Sequence, residues 1–190
     1  VEEIYLDSIT SFKNPSNVFK NLPCLKVLYL PNAEELYYPT VETYPFLPPL
    51  EIVWLPYAQV KTQYINPDST HVTDQLKLFF APNTRYLHID SYSSIIVISE
   101  KATDVAVGVT RQSYLDNVYP TIIAPKGSAA WSQWQYSDED PIKYIDSDSI
   151  IEAKGAQIRT RDNGLRFGFV LDESVLGVDL SQYENLYKRI

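Results

Sequence analysis

The chain has 190 residues, of which 45% are hydrophobic and 21% charged, and its formal net charge at pH 7 is −8. This composition is typical of one globular domain, with or without a small module, and excludes a disordered chain. The acidic balance argues against a nucleic-acid partner, because phosphate binding needs a basic face. The single cysteine, Cys24, excludes an internal disulfide, and no apolar run has the length of a membrane-spanning helix.

A short pattern of the form L-x-x-L-x-L-P recurs along the first part of the chain. Its lead residues are Val1, Leu25, Leu50 and Leu76, so the spacing between repeats is 24, 25 and 26 positions. Such a period predicts a solenoid, and it lies in the range of leucine-rich repeats. We expect the first, fourth and sixth positions to point into the core. All twelve are apolar: Val1, Ile4, Leu6, Leu25, Leu28, Leu30, Leu50, Val53, Leu55, Leu76, Phe79 and Ala81.

Each repeat should contribute one short strand to a parallel concave sheet, because side chains alternate between the two faces of a strand. The predicted strands are residues 3–5, 27–29, 52–54 and 78–80. The segments that return between them are rich in proline, so we expect short helical turns and irregular structure there. Three more stretches are candidate strands of undetermined register: residues 86–89, 94–98 and 104–109.

Two segments resemble a known family. Residues 18–31 read V-F-K-N-L-P-C-L-K-V-L-Y-L-P, which is similar to the A-F-x-x-C-x-x-L-x-x-I-x-I-P repeat of BspA-type leucine-rich-repeat proteins of bacterial surfaces. Residues 121–134 contain P-K-G-S followed by Trp131 and Trp134, and resemble the closing segment of such arrays, with Tyr119, Ile122 and Ala124 in its core positions. The resemblance implies a leucine-rich-repeat domain over residues 1–136 of an exported, cell-surface or cell-wall protein.

Residues 137–149 are acidic, rich in serine and contain proline, which predicts a linker. Beyond it, Asn163-Gly164 between two apolar stretches predicts a β-hairpin. The sequences G-A-Q-I-R at 155–159 and G-L-R-F at 164–167 resemble the opening of a β-rich module found beside such repeats in Firmicute surface proteins. The expected fold class is therefore a β-rich α/β solenoid, an irregular leucine-rich repeat with a parallel concave sheet, plus a partial β-hairpin module at 150–190.

The fifth position of every repeat is aromatic, which predicts a column of rings on adjacent strands about 4.8 Å apart. We expect this column and the apolar third positions to form a solvent-facing stripe that binds a ligand, because exposed apolar patches mark interaction sites. Two alternatives stay open: another part of the full protein covers the face, or the rings only stabilise the sheet. The predicted stripe comprises Tyr5, Tyr29, Trp54, Phe80, Val27, Ile52 and Leu78.

The sequence carries no recognisable catalytic or cofactor motif. His71 and His88 stand outside any metalloprotease pattern, and the acidic clusters at 138–140 and 146–148 lack the glycine and distal glutamate of a calcium loop. Cys24 is expected to act as a small hydrophobe. We therefore predict a non-catalytic module that recognises a protein or a glycan, with no cofactor and no metal. The alternatives are a carbohydrate-active enzyme, with a carboxylate pair in a deep pocket, and a structural spacer.

Overall fold

A computed structural model of the chain describes residues 1–12, 21–33, 35–36, 50–55, 59–60, 76–91, 94–109, 111–132 and 142–147. Within these ranges the chain forms twelve β-strands, one short α-helix and one 3-10 turn. The predicted hairpin and module at 150–190, Trp134, His71 and the acidic cluster at 138–140 lie outside the described residues.

Seven strands form one parallel sheet, called the main sheet below. Their order in the sheet is the order in the chain, so each strand lies beside the strand of the preceding coil. The strands are β1 (Glu3–Tyr5), β3 (Val27–Tyr29), β5 (Ile52–Trp54), β7 (Leu78–Phe80), β9 (Ile95–Val97), β11 (Thr121–Ala124) and β12 (Lys143–Asp146).

A second set of strands alternates with the first five strands of the main sheet along the chain. Strands β2 (Ser11–Phe12), β4 (Glu35–Leu36) and β6 (Gln59–Val60) form a parallel three-stranded sheet, and β8 (Tyr86–Ser91) pairs in parallel with β10 (Asp104–Val109). Coils that carry a strand in each sheet and stack in parallel form a β-solenoid. Helix is scarce in the described residues, so the β-rich solenoid is confirmed and the leucine-rich-repeat assignment is not supported.

The predicted strands and their register are confirmed. Ile4 pairs with Leu28, Leu28 with Val53, and Val53 with Phe79, all between parallel neighbours. The three candidate strands of undetermined register are β8, β9 and β10. Strand β9 lies between β7 and β11, with Ile95 opposite Leu78 on one side and Thr121 on the other.

The main core lies on one face of the main sheet and includes residues of the β8–β10 pair. Most predicted core positions are buried, but Ile4 and Leu6 are half-buried. Val1 is 75% exposed, so its assignment to the core is wrong. The core cluster comprises Leu25, Leu28, Leu30, Ala33, Leu50, Val53, Leu55, Leu76, Phe79, Ala81, Leu87, Ile96, Ile98, Ala102, Val105, Val107, Ile122, Ala124, Ala130 and Ile142.

Hydrogen bonds join corners of adjacent coils at the carboxyl ends of the main-sheet strands. The Asn32 side chain donates to the carbonyl oxygen of Asp7, and the Ser99 hydroxyl donates to that of Pro82. One coil further on, the backbone N–H of Lys126 donates to Oδ1 of Asp146 over 3.1 Å. These bonds satisfy polar groups that the end of each strand leaves outside the ladder.

The P-K-G-S segment forms a turn that follows β11. Gly127 adopts a φ of 82°, a conformation that residues with a Cβ rarely adopt. A 3-10 turn over Ala129–Ser132 follows. It places Trp131 against the core, where its indole N–H donates to the carbonyl oxygen of Ala124 over 3.2 Å.

Strand β12 lies inside the predicted acidic linker. Thr121 pairs with Lys143 and Ala124 with Asp146, so this stretch is the last strand of the main sheet. Ile142 belongs to the core, and Tyr144 packs against it. The linker prediction is therefore wrong for these residues, because their apolar side chains bind them to the preceding coil.

Candidate functional site

The predicted aromatic column exists, but it does not face solvent. Tyr5 pairs with Tyr29, Tyr29 with Trp54, and Trp54 with Phe80. Tyr29 is 7% exposed, Trp54 4% and Phe80 0%, whereas Tyr5 is half-buried. The prediction of a solvent-facing stripe is wrong for the three rings inside the sheet.

Close packing across the strands accounts for part of this burial. The rings of Trp54 and Phe80 stack with centroids 3.9 Å apart and planes 9° apart, and the rings of Tyr5 and Tyr29 lie 5.5 Å apart. The third-position residues of the stripe are fully buried beside them. The described members of this second cluster all belong to main-sheet strands: Val27, Tyr29, Ile52, Trp54, Leu78, Phe80, Val97 and Ile123, with Tyr5, Ile95 and Ile145 packed against them.

The main sheet is therefore buried on both faces, which is the usual condition of a parallel sheet. A ligand could reach these side chains only if the face were first uncovered. The assignment of the seven stripe residues to ligand binding stays a prediction, and their observed role is packing.

The apolar residues that do reach solvent are concentrated on α1 (Arg111–Asp116) and the loop after it. Among the residues that the structure describes, four large hydrophobic side chains are exposed, and three of them are Tyr114, Leu115 and Val118. The fourth is Val1. Leu115 is 69% exposed. These three residues are called the α1 patch below.

Local hydrogen bonds hold the α1 patch in place. Asn117 adopts a left-handed φ of 55° after the helix, and the N–H of Val118 donates to the carbonyl oxygen of Ser113 over 3.1 Å. This closure is typical of the Schellman motif that ends helices. Ser113 itself is fully buried and anchors the helix on the solenoid.

An aromatic pair supports the loop side of the patch. The rings of Tyr114 and Tyr119 meet edge to face, with centroids 6.1 Å apart. The hydroxyl of Tyr119 donates to Oδ1 of Asn117 over 3.0 Å. These contacts hold Tyr114 and the turn around Asn117 in one arrangement on the solenoid.

The charged side chains at the amino ends of four strands form a second surface feature. The residues just before β1, β3, β5 and β7 are Glu2, Lys26, Glu51 and Lys77, one charge per coil with alternating sign. Lys26 and Glu2 approach to 3.6 Å, and Lys77 and Glu51 to 2.6 Å. We call this the charge ladder. Each of the two ion pairs joins a glutamate of one coil to a lysine of the next coil, which favours the observed register of these coils.

The remaining candidate groups are Cys24 and the acidic and histidine side chains. Cys24, which was expected to act as a small hydrophobe, is exposed. No group of three or more His, Cys, Asp and Glu residues within the described ranges could hold a metal ion. No helix in those ranges is both long and apolar enough to cross a membrane.

No protein-family model, curated protein or solved structure matches the chain.

Proposed function

We propose that this chain is a non-catalytic recognition module that binds a protein or a glycan through the α1 patch. One observation carries the proposal: the solenoid buries its large apolar side chains on both faces of the main sheet, yet exposes Tyr114, Leu115 and Val118 together. Clustered exposed apolar residues of this kind mark interaction sites more often than isolated ones do.

The chemistry of the patch favours a protein partner over a glycan. Leu115 and Val118 are aliphatic, and full burial of such a side chain is worth about 1.5–3 kcal/mol. The ring of Tyr114 adds a large contact area with a polar tip, a combination that is common at protein interfaces. A sugar face could use the Tyr114 ring, but would gain little from the two aliphatic neighbours.

The cellular setting is part of the same proposal and rests on sequence resemblance. The repeat at residues 18–31 and the P-K-G-S segment are similar to BspA-type surface proteins. On that basis we propose an exported bacterial protein located at the cell surface or in the cell wall, with the solenoid in an adhesion-type role.

The test is a binding screen of the immobilised chain against extracellular-matrix proteins and a glycan array, repeated with Leu115→Ser. We expect Leu115→Ser to weaken any binding found at least tenfold without changing the unfolding temperature, because the side chain is mostly exposed in the free protein. Val1→Ser is the matched control, since Val1 is exposed and lies outside the patch. Equal binding by wild type and Leu115→Ser would reject the patch as the contact surface.

A structural spacer is the second candidate, and the burial of the main sheet on both faces favours it. A spacer needs stacked coils and no ligand. It predicts no binding in the screen and no functional effect of Leu115→Ser, while changes in the core would still unfold the chain.

A further inference from the structure

We draw no further inference here: the strongest candidate, the face of the main sheet that carries Val27, Tyr29, Ile52, Trp54, Leu78 and Phe80, is an apolar surface that is itself buried, and nothing in the described part of the structure shows what covers it.

Discussion

Trp54 and Phe80 lie on adjacent parallel strands with their rings stacked, 3.9 Å between centroids and 9° between planes. Both side chains are buried. A ring that is already covered on its broad faces has little surface left for a ligand. The relationship therefore makes this aromatic pair a part of the packing of the sheet.

Trp54→Ala should lower the free energy of unfolding by about 3–5 kcal/mol, because it leaves a large cavity beside Phe80. Urea denaturation followed by circular dichroism measures this change. Leu115→Ser, at an exposed position, should change stability by less than about 0.5 kcal/mol. Unchanged stability in Trp54→Ala would mean that the Trp54 ring is exposed in solution. The aromatic column would then again be a candidate ligand-binding surface.

Leu28→Ala should cost about 2–5 kcal/mol, because Leu28 is fully buried in the main core. Lys26→Ala, two positions earlier, should cost less than about 0.5 kcal/mol, since its ion pair with Glu2 is solvent-exposed. Chemical denaturation of both variants compares the two positions directly. Similar losses from the two substitutions would contradict the register of the solenoid.

The pair of Glu51 and Lys77 tests the charge ladder. Lys77→Glu should destabilise the chain by about 1 kcal/mol, because it places two carboxylates across adjacent coils where a 2.6 Å ion pair now stands. The double reversal Glu51→Lys with Lys77→Glu should recover most of the loss. Thermal unfolding of the four proteins closes a double-mutant cycle, and a coupling energy near zero would show that the ladder makes no contribution to stability.

The strand positions and register of the first four coils could be predicted from the sequence. Leu25, Leu28 and Leu30 recur at equivalent positions in later coils, and burial of such residues in one core leaves a single way to align the strands. The later coils were harder, because β9 begins 17 residues after β7 and breaks the earlier spacing.

Burial of the second face could have been inferred from the strands themselves. The sequences V-L-Y, I-V-W and L-F-F are apolar at every position, and such continuous runs are typical of parallel strands covered on both faces. The aromatic character of the fifth position suggested a binding surface instead. Ring size alone cannot distinguish a covered column from an exposed one.

Two other features gave no clear signal. The residues around β12 are acidic and rich in serine, which is typical of a linker. The apolar residues that pack β12 against the solenoid are Ile142, Tyr144 and Ile145. In the α1 patch, Leu115 looks like any core leucine in the sequence. Its exposure depends on how the helix sits on the solenoid, which is a tertiary property.

The spacing of the paired strands varies while their ladder continues unbroken. Leu78 and Ile95 are 17 positions apart, yet Ile95 and Thr121 are 26 apart and pair in the same sheet. The pairing register of the main sheet is thus set by the strands and does not depend on the length of the segments that return between them. Evolution could insert or delete residues in a return at little cost, since loop closure depends weakly on length. A single-residue insertion inside β5 would instead turn its side chains to the opposite faces.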